Sequence, residues 1–311
     1  MDLARDAHIL AIGEALMDLV QPFGATEPAA EHPGGSPANT AMTLGRLGRP
    51  VALRTWLGND ERGRKIAEHF SASNVYVTPD SMGARYTSTA LAQLDERGAA
   101  TYHFDFDWSP TAVDTAPSAQ IVHAGSISAT TPPGCHAVLE ALTAARDHAL
   151  ITYDPNARPT LMGTPEEALE KVLAFIRVAD VVKVSDEDIA WLTGGRDLEE
   201  VVAQWLELGP AIIVVTRGKK GGLAITSHGL RRTSTPKDVT VVDTVGAGDS
   251  FMGGILDAMW ELGLRGAEAR EKLHALSADD IDAILARASA VSDVTVSRSG
   301  ANPPWAHELE A

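Results

Sequence analysis

A glycine-rich turn that opens directly into an apolar helix is the strongest chemical signal in the chain. The turn reads Asp243-Thr-Val-Gly-Ala-Gly-Asp249, and apolar residues follow it up to Trp260. Gly246 and Gly248 let the main chain approach a ligand closely, because glycine tolerates backbone angles that side chains forbid. Free N–H groups at the start of a helix bind anions, and the helix dipole assists them. The turn therefore predicts a phosphate site.

Asp249 lies in the first turn of the same predicted helix, beside the phosphate site. A carboxylate would repel a phosphate there unless it served the reaction. The role that fits is acceptance of a proton from a hydroxyl group that attacks the phosphate. The motif indicates phosphoryl transfer from a nucleotide to an alcohol. The alternative, on this motif alone, is an acidic cap on a helix that follows a glycine turn.

Composition limits the class of protein. The chain has 311 residues, of which 44% are hydrophobic, and this is enough for a large core. Its formal net charge of −16 argues against nucleic acids and anionic membranes as partners. The single cysteine, Cys135, excludes an intrachain disulfide and a cysteine metal cluster. We find no signal peptide and no apolar run that could span a membrane, and we expect a cytoplasmic protein.

Short apolar runs alternate with amphipathic runs along the chain. Buried strands are predicted over 8–12, 51–56, 121–123, 150–153, 181–184 and 212–216. Helices are predicted over 40–47, 62–73, 133–148, 165–179 and 198–208. This alternation indicates β-α-β units and a mostly parallel sheet, whose ligands bind outside the carboxyl ends of the strands. No long linker divides the chain, so we predict a single domain over residues 1–311.

Two segments, about 16–33 and 84–107, depart from this alternation. Within the second, residues 87–95 and 99–106 alternate like strands, and Asp95-Glu-Arg-Gly98 between them is a hairpin signal. A hairpin inserted in an α/β chain usually projects from its body. It predicts a lid over an active site or an oligomer contact, and the two roles are compatible.

A second chemical cluster is Gly34-Gly-Ser-Pro-Ala-Asn39, just before a predicted helix. Gly34 and Gly35 let the backbone approach a small ligand, and Asn39 offers both a donor and an acceptor. Together with Asp18, upstream in the chain, Asn39 can hold neighbouring hydroxyl groups of a polyol. The alternative is that Asn39 only caps a helix and the glycines only form a turn.

Two more loops follow predicted strands. In Asp154-Pro-Asn-Ala-Arg158, Arg158 can neutralise a phosphate and Asn156 can hold a phosphate or a hydroxyl group; the alternative is a surface turn with a salt bridge. The loop Thr216-Arg-Gly-Lys-Lys-Gly-Gly222 suits a nucleotide, although such turns between strands are common. The P-loop and dinucleotide-binding motifs are absent from the sequence, which argues against those classes of nucleotide enzyme.

In this order, the four clusters resemble the ribokinase-like, or PfkB, family of sugar kinases. The resemblance extends from Ile9-Leu-Ala-Ile-Gly-Glu14 to Arg298-Ser-Gly-Ala-Asn-Pro-Pro304. It implies an α/β fold, a three-layer sandwich with a mostly parallel central sheet and a small β lid. It also implies ATP and Mg²⁺ as cofactors, K⁺ in many members, and a sugar alcohol as substrate. A homodimer formed through the lid is a further expectation.

The resemblance assigns roles to individual residues. The catalytic base falls on Asp249, and the anion hole on Gly246, Ala247 and Gly248. The residues expected to bind substrate are Asp18, Gly34, Gly35, Asn39, Asn156, Arg158 and, from the lid, Tyr102 and Phe104. Those expected to bind the nucleotide are Thr216, Gly218, Gly221 and Lys183. A K⁺ site is expected at Asp243 and Val245, with the segment 297–300.

The sequence departs from the family at one motif and resembles one subfamily most. An Asn-x-x-Glu motif is replaced by Ser185-x-x-Asp188, and we expect the shorter Asp188 to bind Mg²⁺ through water. Residues 87–94, 123–128 and 299–304 are most similar to bacterial fructokinases, so fructose is the expected acceptor. The alternatives are a 2-keto-3-deoxygluconate kinase, another sugar or nucleoside kinase of the family, or a sugar-sensing homologue without catalysis.

Replacement of Asp249 with Asn tests the predicted base. The amide cannot take a proton from the attacking hydroxyl group, so turnover should fall by ~10²–10⁴, the usual effect of losing a general base. Steady-state release of ADP measures it. Near-normal turnover of the variant would remove Asp249 from this role.

Overall fold

A computed structural model of the chain describes residues 2–25, 27–96, 100–235 and 237–309. Its strands are β1 His8–Ile12, β2 Leu16–Gln21, β3 Ala30–Gly34, β4 Val51–Arg54, β5 Val75–Val77, β6 Thr89–Leu94, β7 Ala100–Asp105, β8 Ala119–Gly125, β9 Leu150–Asp154, β10 Val181–Ser185, β11 Ile212–Thr216, β12 Gly222–Thr226 and β13 Arg231–Thr233. Its α-helices are α1 Ser36–Arg46, α2 Glu61–Ser71, α3 Gly134–Ala145, α4 Pro159–Met162, α5 Pro165–Val178, α6 Asp186–Thr193, α7 Leu198–Leu206, α8 Ala247–Glu261, α9 Arg270–His274 and α10 Ala278–Val296. Short 3₁₀ helices cover Pro79–Ser81, Ser126–Ala129, Gly218–Lys220, Ala267–Ala269 and Ala306–Glu308.

The main sheet has nine strands in the order β13-β12-β11-β10-β9-β8-β1-β4-β5. The pairs from β11 to β5 are parallel, and β12 and β13 add an antiparallel edge. Buried residues alternate between its two faces: one face packs against α3, α5, α6 and α7, and the other packs against α1, α2, α8 and α10. The predicted three-layer α/β sandwich is therefore confirmed. No helix among the described residues is long and apolar enough to cross a membrane.

Helix α1 begins four residues earlier than the sequence predicted. The predicted span was 40–47, but the helix starts at Ser36, with Pro37 in its first turn. Proline is favoured there, because its missing N–H has no helical partner in the first turn. Gly35 precedes the helix with φ 114°, and a Cβ atom on it would lie 2.3 Å from the carbonyl oxygen of Glu14. Asn39 therefore lies inside the first turn and does not cap the helix.

A second sheet of four strands, in the order β3-β2-β6-β7, lies outside the main sheet. Its strands come from the two segments predicted to form the lid, 16–33 and 84–107. Residues 97–99 of the predicted hairpin turn lie outside the described part of the chain. One cross-strand row of this sheet contains His32, Asp18, Ala90 and Phe104. The row therefore places Asp18 on the same face as Phe104, because direct cross-strand partners share a face.

Helix α8 is anchored to its neighbours by a buried carboxylate. Asp257, which is fully buried, accepts hydrogen bonds from Arg49 Nε and from Arg287 Nε on α10, each over 2.5 Å. On the same helix, a Cβ atom on Gly253 would lie 2.5 Å from Thr43 of α1. Close helix packing and two ion pairs thus fix α8, which carries Asp249, in the fold.

Asp257→Ala should destabilise the protein strongly. The change leaves two guanidinium groups without their buried partner, and breaking a buried ion pair costs about 3–5 kcal/mol in unfolding free energy. The control is Glu261→Ala, because Glu261 also pairs with Arg49 but is 63% exposed; an exposed pair contributes about 0–1 kcal/mol. Urea unfolding measures both variants, and equal losses would contradict the anchoring role of Asp257.

Candidate active site

Asp249, in the first turn of α8, is a buried carboxylate that accepts three side-chain hydrogen bonds. Its Oδ1 accepts from Ser36 Oγ over 2.7 Å and from Asn156 Nδ2 over 3.1 Å. Its Oδ2 accepts from Asn39 Nδ2 over 2.8 Å. Three donors from three positions of the chain fix the orientation of the carboxylate. The arrangement holds a proton acceptor in one geometry.

The glycine turn before α8 has the conformation that an anion site requires. Gly246 caps the helix with φ 74°, and a Cβ atom there would lie 2.7 Å from the Cβ of Ala301. The helix starts at Ala247, whose N–H donates to the carbonyl oxygen of Thr244 over 3.2 Å. The first N–H groups of a helix have no partner within the helix. The predicted anion hole of Gly246, Ala247 and Gly248 therefore lies at the positive end of α8, next to Asp249.

The residues predicted to bind a polyol lie together beside Asp249. Asp18 approaches Gly34 so closely that a Cβ atom on Gly34 would lie 2.2 Å from Asp18 Oδ2. Burial raises the pKa of Asp18 to about 6, and the charge of Asp249 adds to this effect, whereas His32 opposes it. Asn39 Oδ1 is buried and has no hydrogen-bond partner among the described residues. An acceptor left without a donor at this place suits a ligand hydroxyl group.

The loop after β9 is folded onto Asp249, and the prediction that Asn156 holds a phosphate or a hydroxyl group of a ligand stays a prediction. Asn156 has a positive φ of 36°, and its Nδ2 donates to Asp249 and, over 2.6 Å, to Ser36 Oγ. Arg158 is exposed, and its Nη1 donates to Asn156 Oδ1 over 2.7 Å. Asn156 is thus a partner of the proposed base, while Arg158 keeps its guanidinium group at the surface of the loop.

Asp188 closes the start of α6 and also supports the loop after β9. Its Oδ2 accepts from the Ser185 N–H over 3.1 Å, while Ser185 Oγ accepts from the Asp188 N–H, which makes a capping box. Its Oδ1 accepts from the Ala157 N–H over 2.9 Å. Both oxygens therefore have backbone partners, and contact with Mg²⁺ through water stays a prediction. No group of three or more His, Cys, Asp or Glu side chains in the described ranges is arranged to hold a metal.

Lys183 and Asp154 form a buried ion pair behind the glycine turn. Lys183 Nζ donates to Asp154 Oδ2 over 2.7 Å, and neither side chain is more than 3% exposed. A Cβ atom on Gly248 would lie 3.0 Å from Lys183 Nζ. Burial raises the pKa of Asp154 to about 6, although Lys183 lowers it. Lys183, which was predicted to bind the nucleotide, thus lies beside the predicted anion hole, and its ammonium group pairs with the Asp154 carboxylate.

The two segments predicted to form a K⁺ site are joined by hydrogen bonds. Asp243 Oδ2 accepts from the Gly300 N–H over 2.8 Å, and Oδ1 accepts from the Val245 N–H over 3.0 Å. The Asp243 N–H in turn donates to the carbonyl oxygen of Val296. Carboxylate and carbonyl oxygens are the usual ligands of hard cations. The residues present therefore fit such an ion, and its binding here stays a prediction.

The predicted nucleotide loop lies at the carboxyl end of β11, next to α8. Thr216 ends the strand, and Gly218 and Gly221 have φ angles of 51° and 73°, which favour glycine. A Cβ atom on the next residue, Gly222, would lie 3.0 Å from Phe251 Cζ. Beside the loop is a cavity of about 360 Å³ between β13 and α10, lined among others by Arg232, Ser234, Leu285, Ser289 and Asp293.

The two aromatic residues predicted to cover a sugar both lie on β7. Phe104 is half-buried, packs against the hydrophobic core and shares its row with Asp18. Tyr102 pairs with Ala92 of β6, and its side chain lies outside the described part of the chain. Phe104 is therefore on the correct face of the small sheet for its predicted role.

Comparison with known proteins identifies the family. The profile described as pfkB family carbohydrate kinase matches residues 6–308. The chain belongs to the pfkB family of carbohydrate kinases. The prediction of a carbohydrate kinase from the glycine turns and their order is thereby confirmed.

Named relatives of this pfkB-family kinase are fructokinases. A fructokinase of Rhizobium leguminosarum bv. trifolii is 36% identical over 264 residues, which cover 81% of this chain and 79% of the relative. The crystal structure of a fructokinase with bound ATP from Xylella fastidiosa superposes with a TM-score of 0.82 at 25% identity, over 98% of both chains. A fructokinase double mutant from Vibrio cholerae O395, bound to fructose, ADP and a potassium ion, has a TM-score of 0.74 at 25% identity and covers 95% of this chain and 94% of its own.

Two residues that contact Asp249 in this pfkB-family kinase were not predicted from the sequence. Ser36 Oγ donates to Asp249 Oδ1, and Thr40 Oγ1 donates to the main-chain carbonyl oxygen of Asp249 over 3.2 Å. The available signal for Ser36 was its place directly after two glycines, at the start of a helix. The cavity between β13 and α10 was also missed, because the sequence analysis predicted neither element.

Asp18→Asn should change how stability depends on pH. The pKa of Asp18 in the folded chain is about 6, above the usual value of about 3.9, so the folded state binds this proton more tightly than the unfolded state. Relative to the variant, the wild type should gain stability as pH falls from about 6 to about 4, and lose it as pH rises through that window. Urea unfolding of both proteins across the window measures the difference, which a fully exposed Asp18 would leave unchanged.

Proposed function

We propose that this chain is an ATP-dependent fructokinase, which transfers the γ-phosphate of ATP to a primary hydroxyl group of fructose. The observation that carries the proposal is the buried Asp249 carboxylate, held by three donors at the N-terminus of α8. A proton acceptor and an anion site are adjacent there. The fructokinase relatives, one with bound ATP and one with fructose and ADP, support the choice of donor and acceptor.

Asp249 orients the primary hydroxyl group of the sugar and accepts its proton as the oxygen attacks the γ-phosphate. Ser36 and Asn156 occupy Oδ1, whereas Oδ2 accepts only from Asn39 among the described residues. Oδ2 is therefore the oxygen with more room for the substrate hydroxyl. The transfer is direct and in line, so no phosphoenzyme forms.

The N–H groups at the start of α8 stabilise the charge of the γ-phosphate as it moves. These groups are fixed before the substrate binds, so little reorganisation accompanies the reaction. The exposed Arg158 neutralises phosphate charge from the surface of its loop. Asp188 would hold Mg²⁺ through water, and the ion would supply positive charge that offsets the charge of the phosphates.

The small sheet acts as the lid in this proposal. Asp18 and Phe104 share a face of that sheet, and Asp18 approaches Gly34 at the substrate side of Asp249. A sugar bound there is held by the Asp18 carboxylate, by Gly35 and by the free Oδ1 of Asn39. Closure would exclude water and prevent hydrolysis of ATP. We further propose that two chains associate through this sheet.

A monovalent cation near the anion hole is the last part of the proposal. The potassium-bound fructokinase of Vibrio cholerae supports it. Asp243 and the segment 297–300 would hold K⁺ here, since the hydrogen bond from the Gly300 N–H to Asp243 joins these segments. A cation at this place would add positive charge beside the turn 246–248.

The test is release of ADP with Mg²⁺-ATP and K⁺ over a panel of fructose, 2-keto-3-deoxygluconate, ribose and adenosine. We expect selective turnover of fructose, with product phosphorylated at a primary hydroxyl group. Selective turnover of another member of the panel would identify that compound as the substrate and would leave the proposed mechanism unchanged. Sugar binding without ADP release would contradict the proposal and favour a sugar-sensing role. Replacing K⁺ by a bulky organic cation in the same assay tests whether turnover depends on K⁺.

A further inference from the structure

The buried ion pair of Lys183 and Asp154 is connected to Asp249 through the loop after β9. Asp154 Oδ1 accepts from the Asn156 N–H over 3.2 Å, and Asn156 Nδ2 donates to Asp249 Oδ1 over 3.1 Å. The φ of 36° at Asn156 is uncommon outside glycine, and asparagine tolerates it better than most residues. Asp154 restrains this backbone through its hydrogen bond from the Asn156 N–H. The ion pair therefore fixes a donor to the proposed base.

Lys183 also lies against the glycine turn. Its Nζ would be 3.0 Å from a Cβ atom on Gly248, so there is no space for a side chain between the ammonium group and the turn. Burial lowers the pKa of Lys183, but Asp154, Asp188 and Asp249 raise it more strongly. The ammonium group thus remains charged. It is a fixed positive charge immediately behind the N–H groups of the anion hole.

The surroundings of Lys183 are otherwise acidic. The nearby His123 is neutral, because burial and Lys183 lower its pKa to about 3. Arg158 is exposed. Ser36, Asn39 and Asn156 donate to the carboxylate of Asp249, and Thr40 donates to its carbonyl oxygen. The charged groups that interact with Asp249 are Asp18, Asp154 and Lys183. A polyanionic phosphate brought to this place meets several carboxylates and one buried ammonium group.

A contribution to stability does not by itself explain why Lys183 and Asp154 form a buried ion pair. Buried ion pairs are often no more stabilising than apolar side chains of similar size. We propose that Lys183 is a positioning residue for phosphoryl transfer: with Asp154 it fixes Asn156 on Asp249, and its charge offsets the negative charge that accumulates at the α8 turn. This inference rests on the proposed function, and it differs from direct contact between Lys183 and the nucleotide.

The experiment compares the wild type with Lys183→Met, with the double variant Lys183→Met/Asp154→Asn, and with the control Asp180→Asn. Asp180 is a matched control because it is also buried and paired, with Arg270 Nε over 2.7 Å, but precedes β10 at the opposite end of that strand. Each protein is measured for its unfolding midpoint in urea, kcat, KM for both substrates, and the acidic limb of kcat/KM against pH.

We expect Lys183→Met to be less stable and to lose about 10²-fold in kcat, the scale of a displacement of about 1 Å in a reacting group. KM for the sugar should change much less. The acidic limb of its pH profile should move to higher pH, because the variant removes a positive charge that interacts with Asp249. Asp180→Asn should lower the unfolding midpoint only.

The double variant separates a positioning role from a purely structural one. It has no unpaired buried charge, so its unfolding midpoint should recover relative to Lys183→Met. Its kcat should stay low, because the positive charge behind the turn is still missing. Recovery of kcat together with stability would overturn the inference, as would a folded Lys183→Met with the kcat and acidic limb of the wild type. If Lys183→Met does not fold, the double variant decides.

The controls keep this result apart from the proposed function. A wild type and an Asp180→Asn variant that both phosphorylate no sugar would contradict the proposed function. A wild type and control that are active beside an equally active double variant would contradict only the inference about Lys183.

Discussion

The structure depends on holding one buried carboxylate in place at the positive end of a helix. Asp249 is only 6% exposed, and a buried polar group is costly unless hydrogen bonds satisfy it. The positive end of α8 and three side-chain donors meet this requirement. The donors come from the start of α1 and from the loop after β9, so the conformations of both segments follow from it. The unusual φ angles of Gly35 and Asn156 are local results of that demand.

The burial of Asp249 also affects the balance of charge around it. The site gathers carboxylates from four elements, since the chemistry needs a base and the loops need acceptors for their N–H groups. Asp188 is an acceptor for loop N–H groups, because both of its carboxylate oxygens accept backbone hydrogen bonds. Lys183 shows the compensation, because it is held charged among these groups despite complete burial of its side chain. The buried ammonium group of Lys183 therefore offsets part of the negative charge that these carboxylates bring to the α8 turn.

The features predictable from sequence are those whose causes are local. Alternating apolar runs predict the parallel sheet, because the spacing of apolar residues within a strand or helix shows which of its faces is buried. The glycine turns predict the anion and substrate sites, and the structure brings them together. The partners of Asp249 are different: Ser36 is 213 positions away and Asn156 is 93 positions away. No local pattern specifies such contacts, and so the sequence did not predict that Ser36 and Asn156 donate hydrogen bonds to Asp249.

The two sheets divide the work of the site between them. The residues proposed to move a proton and to stabilise phosphate lie on α8 and at the carboxyl ends of the main-sheet strands. Asp18 and Phe104 lie on the separate four-stranded sheet. Their proposed roles require only that the two side chains share one face of that sheet. Substitutions on that sheet can reshape the acceptor site without moving Asp249 or its donors. Selectivity for a sugar should therefore follow the small sheet, whereas the reaction follows the main one.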